Sequence, residues 1–76
     1  MKVFEVTGLH PAGISVHTLT EKVFWVQAAK NCLPVEAPEF QRQIGSLQIG
    51  EGMSGPADSY RNGQPVEIFV VVERVA

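Results

Sequence analysis

The segment Pro65-Val66-Glu67-Ile68-Phe69-Val70-Val71-Val72-Glu73-Arg74-Val75 constrains this chain more than any other stretch. It is rich in β-branched residues, apolar at both parities, and preceded by the turn signal Arg61-Asn62-Gly63-Gln64. Successive side chains of a strand point to opposite faces, so a strand that is apolar at both parities requires cover on both. A chain of 76 residues has little material for the second cover. A partner surface therefore has to be weighed before any chemistry is considered.

The short chain sharpens that demand. A domain of this size buries roughly 60–65% of the surface its unfolded form exposes, and ordering it costs about 1–2 kcal/mol per residue. Small domains often recruit a disulfide, a metal or a second subunit to make up the difference. Cys32 is the only cysteine, so an intrachain disulfide is excluded. One domain over residues 1–76 is expected, with self-association into a homodimer as one way of completing its core.

Charge excludes further classes. Six basic residues face eight acidic ones, and Lys2, Lys22, Lys30, Arg42, Arg61 and Arg74 are scattered. Nucleic-acid binders carry a clustered basic face, so a nucleic-acid partner is not expected. A net charge of −2 is also too weak for an acidic nucleic-acid mimic. The apolar runs fall far short of the ~20 residues of a membrane-spanning helix, and no membrane association is expected. Glu5 stands where a signal peptide would be apolar. A lone cysteine fits a reducing compartment, and a cytoplasmic location is expected.

Periodicity supplies the elements. Lys2–Thr7 alternates as a strand, with Phe4 and Val6 on one face. Gly8–Gly13, with two glycines and a proline, reads as a loop. Ile14–Thr20 alternates again, with Ile14, Val16 and Thr18 opposing Ser15, His17 and Leu19. Lys22–Ala28 reads as a third strand, Phe24, Val26 and Ala28 inward and Val23, Trp25 and Gln27 outward. Pro34 and Pro38 prevent one helix from running through both. Pro38 suits a first helical turn, Glu39 complements the positive end of the dipole, and Phe40, Ile44 and Leu47 form a stripe that Gly45 interrupts. Ser46–Ile49 is a short strand or the frayed helix end, and Gly50–Pro56 a glycine-rich loop. Ala57–Tyr60 leads into the Asn62-Gly63 hairpin turn and the last strand.

The expected fold is α+β: a small antiparallel sheet of four to five strands, in the order β-β-β-α-β-β, with one short helix on one face. The core candidates are Phe4, Val6, Ile14, Val16, Phe24, Val26, Phe40, Ile44, Val66, Ile68, Val70 and Val72. The other parity gathers Val3, Val23, Trp25, Phe69 and Val71 among Glu5, Gln27, Glu67 and Glu73. An apolar patch of that size is unusual on a soluble monomer.

No constellation carries catalysis on its own. Gly50-Glu51-Gly52-Met53-Ser54-Gly55 fits G-x-G-x-x-G, but that motif needs a helix immediately afterwards, and Pro56 follows instead. The remaining use for it is a nest of backbone N–H groups for an anion. His10, His17 and Cys32, even with Glu5 or Asp58, make a poor zinc set. Cys32 reads as a packed, inert thiol. Glu67 and Glu73 are about 20 Å apart along a strand and cannot act together on one small bond, although Glu5 could face either. No Gly-x-Ser-x-Gly elbow occurs, and Ser54 lacks a placed histidine. No catalytic residue, cofactor or metal is expected.

The function expected is therefore a small non-enzymatic protein-interaction module acting through an apolar sheet face or edge strand, with Val23, Trp25, Phe69 and Val71 as contacts. Its partner is another protein or a second copy. Size and lack of chemistry also suit accessory proteins of phages and mobile elements, including stoichiometric inhibitors of bacterial complexes. The rival is a small-ligand binder or modest enzyme whose pocket forms at a homodimer interface and uses His10, His17 or the Gly50–Gly55 loop.

Overall fold

The structure, a computed structural model, describes residues 1–30, 33 and 37–76, the side chains of 59–61 excepted. Along the chain run β1 (Val3–His10), β2 (Gly13–Thr20), α1 (Glu21–Lys30), α2 (Pro38–Ser46), β3 (Gly52–Arg61) and β4 (Gln64–Arg74). The strands form one antiparallel sheet in the order β2-β1-β4-β3. Both helices contribute to a core against a single face of it. The α+β class and the antiparallel sheet are as expected. The most apolar strand, β4, lies inside the sheet, paired with β1 on one side and β3 on the other.

Turn chemistry fixes the registers. Asn62 (φ 53°) and Gly63 (φ 77°) make a two-residue turn with both central φ positive, which matches the twist of flanking strands and pairs Arg61 with Gln64. The first hairpin is tighter than the glycines of Gly8–Gly13 suggest. Only Pro11 and Ala12 turn, His10 pairs with Gly13, and Gly8 lies inside β1. That register aligns Phe4 with Leu19, so Leu19, His17 and Ser15 share the helix-covered face. Ile14 and Val16 fall on the opposite face and are exposed, which corrects their assignment to the core. The expected loop at Gly50–Pro56 is likewise mostly strand, because β3 begins at Gly52. Pro56 is tolerated there because β3 is an edge strand with a free hydrogen-bonding side.

The larger correction concerns Lys22–Ala28, which is helical within α1. Its valines and aromatics favour a strand by propensity, but such preferences are weak beside tertiary packing. Phe24 and Ala28, four apart, face the sheet and are buried, while Val23 and Val26 point to solvent. Val26 is therefore not a core residue. Glu21 in the first turn and Lys30 in the last complement the helix dipole. Phe24 stacks on Phe4 (ring centroids 5.0 Å) and meets Trp25 edge-on (5.1 Å), and Trp25 meets Phe40 of α2 (6.0 Å). Phe4, Phe24, Ala28, Ile44, Ala57, Ile68, Val70 and Val72 form the buried cluster, with Val6, Phe40 and Val66 packed against it.

α2 follows its sequence signals closely. Pro38 opens it, Ala37 supplies no side-chain cap, and Glu39 bonds Arg42 and Gln43 along the exposed face. Ile44 is buried, and Leu47 sits just beyond the end as the C-cap. No basic residue lies in the last turn, yet its carbonyls are served from the sheet. Lys2 Nζ donates to Gly45 O (2.9 Å) and Arg74 Nη1 to Leu47 O (2.9 Å). These contacts pin the helix end to the start of β1 and the end of β4.

Packing around two glycines yields a contrast. A Cβ on Gly52 would lie 2.7 Å from the backbone oxygen of Val72, whereas one on Gly55 meets nothing within 4 Å. Gly52→Ala should cost about 1–3 kcal/mol, since backbone must shift, and Gly55→Ala should stay within about 0.5 kcal/mol of the parent, as measured by urea unfolding. Phe24→Ala should cost about 3–5 kcal/mol, a large share of the stability of so small a domain.

Candidate functional site: the open sheet face

The second face of the sheet is uncovered by any described residue, and its pattern follows from the registers. One cross-strand row reads Ile14–Leu9–Phe69–Pro56 through β2, β1, β4 and β3. The next reads Val16–Thr7–Val71–Ser54. Directly opposed residues in an antiparallel sheet lie on the same face with Cβ atoms in contact range. These rows therefore form one continuous band about 14 Å wide across the strands. Exposure is substantial: Ile14 71%, Val16 57%, Phe69 43% and Leu9 39%. A shallow depression of 320 Å³ opens beside Phe69, lined by Leu9, Pro11, Pro56, Glu67 and Ile68.

Acidic rows bound the band at both ends. Glu5 pairs directly with Glu73 on one side, and Asp58 with Glu67 on the other. Glu5 thus faces Glu73 and not Glu67. Like charges directly opposed on neighbouring strands are unfavourable, by about 0.2–1 kcal/mol per pair. No lysine or arginine lies on this face among the described side chains. Lys2 and Arg74 reach the end of α2, and Lys22, Lys30 and Arg42 ride on the helices.

The four residues expected as contacts divide between two places. Phe69 and Val71 lie on the open face, Val71 half-buried. Val23 and Trp25 belong to α1, on the other side of the sheet. Trp25 is half-buried between Phe24 and Phe40 and helps join the two helices, while Val23 is exposed on the outer surface of α1. Trp25 and Phe69 therefore do not share a face, because the segment carrying Trp25 is helical. Leu9, Ile14 and Val16 take the places on the face that sequence reasoning gave to Val23 and Trp25. The two-residue Pro11-Ala12 turn was the signal for them, since it sets the parity of β2.

On the helix side a cavity of 360 Å³ lies between the β1–β2 hairpin and α1. Its apolar wall comes from Val6, Leu19, Phe24, Ala28, Ile68 and Val70, and its polar edge from His10, Ser15, His17 and Gln27. His10 Nε2 and Ser15 Oγ are 3.0 Å apart.

The remaining sequence candidates resolve simply. The Gly50–Gly55 run enters a strand and no helix follows it. Its leading N–H groups are already engaged: Gly50 N donates to Arg74 O (2.8 Å) and Glu51 N to Gln48 O (2.9 Å). Cys32 lies outside the described residues. Among the described residues no three metal-ligating side chains converge, and no helix is long and apolar enough to cross a membrane. Comparison with protein-family models, with curated proteins and with solved structures finds no match.

The two faces predict opposite mutational responses. Phe69→Ser should cost no more than about 1 kcal/mol of stability and raise solubility, because the side chain is already 43% exposed. Val70→Ser, one residue on but buried, should cost about 2 kcal/mol or more through a lost contact and a buried hydroxyl. Chemical denaturation of both variants checks the assignment.

Proposed function

We propose that this protein is a non-enzymatic interaction module whose working surface is the open sheet face, and that its partner presents an apolar strip flanked by basic groups. The observation that supports this most is the ordering of that face: an exposed apolar band between the Glu5/Glu73 and Asp58/Glu67 pairs. Covering Ile14, Leu9, Phe69 and Val71 supplies the hydrophobic gain, and cations at the ends relieve the opposed carboxylates.

Charge favours a foreign partner over a second copy. Two such faces placed together would add further carboxylates at the rims with no base among the described side chains to meet them, and like-charge juxtaposition opposes association. Spacing suggests the partner's form. The acidic rows stand about 20 Å apart along β4, the length of a helix of about 13 residues. An amphipathic helix with lysines or arginines at both ends of its apolar stripe would lie along the strands and supply the missing layer.

A designed amphipathic helical peptide of that length, leucine-faced with lysines at both ends, is the direct probe, alongside its glutamate counterpart. The lysine peptide should perturb the backbone amides of Leu9, Ile14, Phe69 and Val71, more weakly as salt is raised, and Phe69→Ser should weaken binding about tenfold or more. Perturbation of α1 at Val23 and Val26, or equal binding of both peptides, would overturn the proposal. So would a dimer by sedimentation that Phe69→Ser dissolves, since the face would then serve self-association.

A further inference from the structure

We infer that the cavity between the β1–β2 hairpin and α1 is a binding site for a small monocarboxylate with an apolar body, independent of the open face on the other side of the sheet. Its volume, 360 Å³, falls within the range of small-molecule sites, and its composition is of that kind: an apolar wall with a few convergent polar groups along one edge. The wall carries Val6, Leu19, Phe24, Ala28, Ile68 and Val70, from three strands and α1. The polar edge carries two imidazoles, a hydroxyl and a carboxamide.

Gly8 is what shapes that edge. It is buried in β1, and a Cβ there would stand 2.9 Å from both His10 Nε2 and Ser15 Oγ. The empty position lets the His10 ring fold back over its own strand to Ser15 on β2, so the pair is held at the cavity rather than splayed into water. His17 follows Ser15 on the same face of β2, and Gln27 approaches from α1.

Head-group chemistry follows from what this edge offers and lacks. Imidazole, hydroxyl and carboxamide groups all supply N–H or O–H donors. Among the described residues no aspartate or glutamate lines the cavity, so they offer a cationic head no counter-charge. No described lysine or arginine side chain lines it either, so the multiple charge of a phosphate is poorly met. A singly charged carboxylate, accepting hydrogen bonds while its body displaces water from the wall, fits both constraints.

Phenylacetate and its uncharged analogue phenylacetamide test the inference by two-dimensional NMR titration of the intact chain. Phenylacetate should give saturable shifts at Val6, Ala28, Ile68 and Val70, leave Val71 and Val16 unmoved, and bind more tightly than the amide. Gly8→Ala clashes only with side-chain ends, so it should retain the parent's unfolding midpoint while breaking the His10–Ser15 contact and weakening binding about tenfold, the worth of a hydrogen bond to a charged group. If that variant fails to fold, His17→Ala carries the same expectation, because His17 is exposed on β2. Absence of saturable shifts, equal affinity for the amide, or parental affinity in the folded variant refutes the inference. None of these outcomes bears on the open face.

Discussion

The aromatic series Phe4–Phe24–Trp25–Phe40 is the contact on which the rest of the molecule depends. It begins at a fully buried ring in β1, crosses to α1, and ends in α2. Tilted and edge-on geometries at these separations add about 0.5–1.5 kcal/mol per pair beyond the area they bury. In a domain whose stability is only a few kcal/mol, such terms decide whether the helices stay on the sheet. The series also decides what α1 is. Phe24 can reach Phe4 while Trp25 reaches Phe40 only if adjacent residues diverge by a helical step, since a strand would send them to opposite sides of the sheet.

Committing both helices to one face leaves the other without cover from the described residues, and the long apolar β4 makes that consequential. Val66, Ile68, Val70 and Val72 lie on the helix-covered face, while Phe69 and Val71 of the same strand remain with Leu9, Ile14 and Val16 on the open one. The basic residues reinforce the division. Lys2 and Arg74 are spent on the carbonyl end of α2, which has no basic residue of its own in its last turn. One side of the sheet therefore holds the helix-end cations, and the other holds paired carboxylates.

Much of this was legible in the sequence, and the failures have specific causes. Strand β4, the Asn62-Gly63 turn and the Pro38 helix start each rest on a local signal with one dominant physical origin. The need for a second cover followed from β4 alone, and the class from the order of strands and helix along the chain. Lys22–Ala28 was misread because a run of valines and aromatics satisfies period two and, through Phe24 and Ala28, period four; only the aromatic contacts across the core separate these readings. The hairpin of β1 and β2 was misread because Gly8 resembles a loop residue, although its role is to make room for a side-chain pair. The faces of β2 were exchanged for a separate reason: Ile14 and Val16 are apolar, yet pairing across either loop length, Thr7 with Ile14 or His10 with Gly13, sends them to the face opposite Phe4, beside Leu9, Phe69 and Val71. The cavity at His10 and Ser15 was not accessible to a one-dimensional reading, since its lining gathers side chains from three strands and α1.

The opposed carboxylates on the open face are the least economical feature of the isolated domain, and they make sense in terms of what an apolar band would otherwise do. Edge strand β2 carries no proline and no lysine, the devices that usually keep strand surfaces apart. Without its acidic rows the band beside it would pair readily with copies of itself. Glu5/Glu73 and Asp58/Glu67 raise the energy of that encounter at both ends while leaving the apolar centre intact. On the proposed reading, a partner that brings positive charge to both rows together with a surface that fills the band would relieve that repulsion. A face built this way would then reject itself and reward a basic amphipathic partner by one mechanism, with no further residue needed for that selectivity.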